Sequence, residues 1–196
     1  MRKLLTFTAA LVIFAPAAAF ADAEFAIQAE GGVSHYNRSL SGSDLGAAYG
    51  ARLSITPIQF LGIELGYLGT RNNVSGTSTT GSGGVTVPSA TLSTNEGYAD
   101  LRINILPGPV MPYIFGGYGL TWVSGADAFA SGDHNNTLPF GAGLDFNIGA
   151  FKIGGRFQYN YLFDAISVSS NGTSAGVSKS NADFWTATLA LGITFH

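Results

Sequence analysis

From Asp183 to His196 the chain reads D-F-W-T-A-T-L-A-L-G-I-T-F-H. Trp185, Ala187, Leu189, Leu191, Ile193 and Phe195 fall in one phase, and Thr186, Thr188, Ala190, Gly192 and Thr194 in the other. Side chains alternate across an extended strand, so this stretch has an apolar face and a small, polar one. About ten such residues are enough to cross a bilayer as a tilted β-strand.

The same two-residue period recurs upstream. Phe25, Ile27, Ala29, Gly31 and Val33 open it; Tyr49 to Ile55, Leu61 to Tyr67 and Ala99 to Ile105 repeat it; Phe140 to Ile148 and Phe151 to Tyr161 carry it on. Between Pro112 and Trp122 the apolar set is split. Ile114, Tyr118, Leu120 and Trp122 form the more apolar face and are assigned outward, with Tyr113 and Phe115 opposite. The count is eight strands. Long polar connections (37–47, 70–94, 124–136 and 164–181) alternate with short ones at Pro57, at Leu106-Pro107-Gly108-Pro109 and at Gly149-Ala150. Proline and glycine mark places where a ladder cannot continue.

Charged residues are only 11% of the chain, less than half of the roughly 25% usual in a soluble domain. Beyond residue 21 no apolar run approaches the ~20 residues of a spanning helix. Residues 1–21 read as a cleaved secretory signal: Arg2 and Lys3, an apolar run from Leu4 to Ala15, then Ala19-Phe20-Ala21. The remainder, 22–196, is expected to be one domain, with no peptidoglycan-binding domain after it. Without Arg2 and Lys3 it carries seven basic against twelve acidic residues, which argues against nucleic acid as a partner. It contains no cysteine, so disulfides and thiol chemistry are excluded. Low charge, 27 glycines and 12% aromatics point to an all-β fold: an eight-stranded antiparallel up-and-down transmembrane β-barrel. A soluble barrel of the lipocalin kind would need Lys and Glu on its polar faces, and these offer mostly Gly, Ser, Thr and Asn.

The polar faces nevertheless carry a set of charges. Glu30, Arg52, Glu64, Arg102, Asp145 and Arg156 lie about four to six residues from the turn ends of their strands, so at about 3.3 Å per residue they share a similar depth. Signs alternate between neighbours on strands one to four and again on six and seven, and Asp100 and Lys152 extend the set. Paired, such charges are tolerable inside a narrow barrel, and the expectation is a salt-bridge network filling the lumen, with Arg52 serving Glu30 or Glu64. An ion path lined by charge is the alternative. Tyr49, Tyr67, Trp122, Tyr161 and Trp185 sit towards the long-loop ends, and Phe25, Phe151 and Phe195 towards the turn ends, as aromatic girdles would.

Pro112-Tyr113-Ile114-Phe115-Gly116-Gly117-Tyr118-Gly119, Phe140-Gly141-Ala142-Gly143-Leu144-Asp145-Phe146 and the aromatic last strand resemble the small outer-membrane β-barrels that include the OmpA-like and OmpX-like proteins. The resemblance covers the whole of 22–196. It implies a Gram-negative outer-membrane location and contact with outer-membrane lipid and lipopolysaccharide. It also implies handling by the barrel-assembly machinery, which reads a terminal phenylalanine in that family; here Phe195 precedes His196. The expected role is structural and surface-interacting, with four outward loops offered to an extracellular ligand. A narrow pore for ions or small solutes is the runner-up, and a lipid-modifying enzyme the third reading.

Nothing in the residues favours catalysis, a cofactor or a metal. Gly172-Thr173-Ser174-Ala175-Gly176 matches a nucleophile-elbow spacing but lies in a polar loop, not in the strand-to-helix turn that chemistry needs. His35, His134 and His196 are isolated from one another. Asp127, Asp133 and Asn135 could lend oxygens to calcium, though a plain acidic loop is the simpler reading. The sequons beginning at Asn37, Asn73, Asn135 and Asn171 are read as loop composition.

Overall fold

In a computed structural model the described residues are 23–36, 45–74, 90–125, 134–163, 166–167, 179–180 and 183–195. The signal segment and most of each long connection lie outside them. Eight strands make one closed antiparallel barrel: β1 Glu24–Tyr36, β2 Gly46–Ile58, β3 Leu61–Val74, β4 Ala90–Asn104, β5 Val110–Gly125, β6 His134–Ile148, β7 Phe151–Leu162 and β8 Phe184–Phe195. Each strand pairs with its sequence neighbours, and β8 closes on β1. No helix among the described residues is long and apolar enough to cross a membrane, a statement that does not bear on strands.

Closure explains why the chain tolerates so many apolar residues at its surface. The odd-numbered residues of β1 and their counterparts elsewhere point outward: Ile27, Leu65, Leu101, Ile153, Leu189 and Leu191 are all exposed. In water such a band would be costly at about 25 cal/mol per Å²; in a bilayer it is the solvated surface. The ambiguous β5 resolves the same way. Ile114 is exposed, while Tyr113 and Phe115 are buried in the interior.

At one end the connections are tight. Gly149 turns β6 into β7 with φ of 62°, a left-handed conformation that favours glycine. Gln59 and Phe60 join β2 to β3 after a register shift between Ile55 and Ile58 that brackets Pro57, whose missing N–H cannot serve the ladder. A second proline has a similar mark. The β5–β6 ladder runs to Gly116↔Phe140 and resumes at Gly119↔Thr137, skipping two rungs, those at Pro139 and Leu138.

At the other end the sheet reaches further than the sequence suggests. The stretch 70–94 was expected as a loop, yet β3 and β4 stay paired from Thr70↔Thr94 up to Val74↔Ala90, so only 75–89 lies between them. Likewise β2 starts at Gly46 and β6 at His134, inside segments expected as loops, and Ile166–Ser167 pairs with Lys179–Ser180 in a short separate ladder. Ser, Thr and Asn recur on both faces of these extensions, so the apolar alternation that reveals a strand is missing there.

Candidate functional site: the lumen and the outer rim

The barrel interior is built from the even-numbered positions of β1 and their cross-strand partners. Strand register decides which charges meet: Glu64 lies beside Asp100 across β3–β4, and Gln28 beside Arg52 across β1–β2. Three guanidinium groups organise the layer. Arg52 reaches Glu30 at 3.2 Å and, across the barrel, Asp145 at 3.6 Å. Arg102 bonds Glu64 at 3.1 Å and Asp145 at 2.7 Å. Arg156 bonds Asp100 at 2.6 Å and also donates to Glu64. All seven of these residues are buried. Removing a charge from water costs several kcal/mol, which the pairing offsets together with added hydrogen bonds, donated by the arginines to Gln28, Asn104 and Gln158 and by Thr188 to Glu30.

Arg52 meets Glu30, one of its two expected partners, and its second partner is Asp145, because β2 and β6 face each other across the lumen, a relation the linear order of strands does not display. Lys152 stands apart from the layer: it pairs with Glu24 at the turn end. Beside that pair opens a cavity of about 410 Å³ lined by Glu24, Thr56, Gln59, Asn104, Met111 and Asn147 among others.

Aromatic rings complete the layer. Arg102 lies 3.6 Å from the Tyr113 ring centroid and Arg156 3.4 Å from that of Phe115, contacts favourable for a desolvated cation. These rings need floor space, and glycine supplies it on the adjacent strand. A Cβ at Gly66 would fall 2.1 Å from the Tyr98 ring, and one at Gly143 2.3 Å from that of Tyr113. The carboxylates are seated in the same manner, Asp100 over Gly117 and Asp145 over Gly154.

Sequence reasoning passed over what lies above this layer. Glu96 faces inward, fully buried, with neither carboxylate oxygen accepting a hydrogen bond. Beyond it Tyr36, Ala48, Leu68, Leu92, Leu162 and Phe184 form an apolar cluster. Tyr36 and Phe184 rings lie 5.2 Å apart, and the Tyr36 hydroxyl engages Thr70 and Thr94 at 3.0 and 3.1 Å. Apolar side chains inside the lumen break the expected apolar-out rule. The available signal was the continuing alternation Leu92-Thr94-Glu96-Tyr98-Asp100.

On the outer face Tyr49, Tyr67, Trp122 and Tyr161 are exposed, and Trp185 is half-buried between His35 and Phe157, 5.7 and 5.8 Å away. Phe25, Phe151 and Phe195 are exposed towards the turn end, with Phe195 opposite Phe25 on the closing seam. Among the described residues no three His, Cys, Asp or Glu side chains form a group able to hold a metal. The G-x-S-x-G segment, Asp127, Asp133 and His196 lie outside the described residues, and Asn135 is buried on β6.

The profile of a family described as outer membrane protein beta-barrel domain matches residues 7–196. No curated protein sequence matches the chain. Among solved structures, Neisserial surface protein A superposes with a TM-score of 0.63 at 15% identity, covering 87% of this chain and 97% of that one. The outer membrane protein OprG of Pseudomonas aeruginosa gives 0.60 at 17%, covering 88% and 96%. Ail, the attachment invasion locus protein of Yersinia pestis solved with the heparin analogue sucrose octasulfate, gives 0.53 at 17%, covering 88% and 99%. At such identities the likeness is one of fold.

Proposed function

Since the chain belongs to the outer membrane β-barrel family, and so is a protein of the outer membrane, we propose that its barrel is a closed scaffold working through its outer surface and loops. The observation that carries this reading is the cross-lumen layer of Arg52, Arg102 and Arg156 with Glu30, Glu64, Asp100 and Asp145, all buried. Side chains that bond across an eight-stranded interior leave little width for a solute. The apolar cluster around Tyr36 and Phe184 adds a second obstruction nearer the loops.

In this reading residues 1–21 direct export and are removed, and Phe195 presents the assembly signal. Lipid and lipopolysaccharide surround the apolar band, and the four long connections meet an extracellular ligand. Nucleic acid has no role. The Yersinia neighbour was solved with a sulfated sugar, which makes anionic glycans the first ligands to try on the loops.

Single-channel recording of refolded 22–196 in a planar bilayer tests the closed lumen. Demonstrably folded protein should be silent. Steady openings whose conductance changes with Arg52→Met or Glu64→Gln would overturn the reading in favour of a narrow pore.

A further inference from the structure

Between residues 22 and 196 the chain holds one sulfur atom, that of Met111. Met111 lies on the inward face of β5, two residues towards the turn end from Tyr113, and lines the cavity of about 410 Å³ at that end of the barrel. Gln59, Pro107 and Gly108 on the same lining are exposed, so the cavity communicates with the water at the turns. The sulfur is covered by the strands on one side and faces a space that a small solute can enter on the other.

Its neighbour is an under-used amide. The Asn147 nitrogen, on the inward face of β6, stands 3.9 Å from Met111 Sδ and 3.5 Å from the Gly108 carbonyl oxygen. A thioether is a weak acceptor, and 3.5 Å is longer than the usual N–H···O bond. The buried Oδ1 of the same side chain accepts nothing, which leaves this amide without a strong bond at either end.

The spacing suits an oxygen placed between the two groups. An S–O bond of about 1.5 Å and an N–H···O bond of about 2.9 Å, meeting near 120° at the oxygen, span about 3.9 Å from sulfur to nitrogen. That is the separation found. A sulfoxide makes the side chain polar and disrupts a dry core; here the new oxygen meets a waiting donor and a cavity with room for it.

We propose that Met111 is a modification site, at which a peroxide entering from the turn end converts the thioether to a sulfoxide that the folded barrel accepts, its oxygen held by the Asn147 amide. The sulfur lone pair attacks one peroxide oxygen, the S–O bond forms and the O–O bond breaks. The departing hydroxide takes the proton of the transferred oxygen and leaves as water; sulfur gives up two electrons and the peroxide receives them.

The test treats protein extracted from membranes, kept folded in detergent, with millimolar hydrogen peroxide and follows Met111 by peptide mass mapping. Oxidation of the folded barrel should run within about tenfold of the rate for a free methionine peptide, and the oxidised wild type should keep its urea midpoint. Asn147→Ala and the acceptor-only Asn147→Asp, each compared with its own unoxidised form, should gain oxygen at the same residue and then unfold at lower urea. Met111→Leu should be indifferent to peroxide. A Met111 that gains oxygen only as fast as the barrel unfolds overturns the proposal. So does a midpoint that responds to oxidation in the same way in the wild type and in both Asn147 variants.

Discussion

Replacing Arg156 with methionine keeps most of the stem and removes the guanidinium that joins β7 to β3 and β4. Glu64 then still has Arg102 at 3.1 Å. Asp100 has no such reserve: its Oδ2 loses Arg156, and its Oδ1 is already without a partner. Breaking a buried pair from one side costs about 3 to 5 kcal/mol, and methionine packing on Phe115 recovers a fraction of the lost ring contact. About 4 kcal/mol is expected, roughly a thousandfold in the folding equilibrium. Arg52→Met should cost about half as much, because Glu30 keeps the Thr188 hydroxyl at 3.1 Å and Asp145 keeps Arg102 at 2.7 Å. The assay is urea unfolding in phospholipid vesicles, comparing midpoints at matched slopes. Adding Asp100→Asn to Arg156→Met removes the stranded charge and should recover about half of the loss or more. A loss below about 1 kcal/mol, an inverted order of the two arginines, or no recovery in the double variant would refute the argument that these pairs hold the lumen together.

Three further outcomes follow from the geometry. Gly66→Ala places a methyl against the Tyr98 ring and should destabilise the barrel by about 1 to 3 kcal/mol, whereas Gly97→Ala, whose nearest neighbour is Trp122 at 3.7 Å, should change the unfolding midpoint little. Glu96→Gln should raise stability by about 1 kcal/mol in the same urea assay, since a buried carboxylate without a donor is penalised more than an amide. Deleting 76–88 should leave a barrel with wild-type heat-modifiable gel mobility. Extending the deletion to Ser93 should lower its unfolding temperature, because it strips the rungs from Arg71↔Ser93 to Val74↔Ala90.

The strands between the girdles were legible because lipid outside and a packed lumen inside impose opposite polarities on alternate residues; Leu61 to Tyr67 and Trp185 to Phe195 show it plainly. Above the girdle that contrast disappears. Asn73 and Asn72 point to opposite faces, yet both are asparagine, so the ladder from Thr70 to Val74 reads as loop. Leu68, Leu92, Leu162 and Phe184 were missed for the converse reason: they are apolar on the face where polar residues are the rule. The seven charged residues of the central layer could be named one by one from the sequence, whereas Glu96 above it was not. Which of them bond was not visible, since Arg52–Asp145 and Arg156–Glu64 span the lumen between strands separated by 93 and 92 positions.

The glycine seats bear on how such a cylinder finds its alignment. Backbone hydrogen bonds repeat every two residues and cannot tell the native pairing from one slipped by a pair, which also preserves inside and outside. Seven of the eight strand junctions are tethered by a connection of fixed length; the junction of β1 with β8 joins the two ends of the barrel sequence and has no tether. Both of its strands carry a tight glycine. A Cβ at Gly32 would fall 2.0 Å from the Ala187 carbonyl, and one at Gly192 2.1 Å from that of Ile27. Sliding β8 by two residues would bring Ala190 or Thr194 to the place Gly192 holds against Ile27, where a Cβ has no room. The untethered junction is thus keyed by steric exclusion, like a lock that accepts one depth of cut.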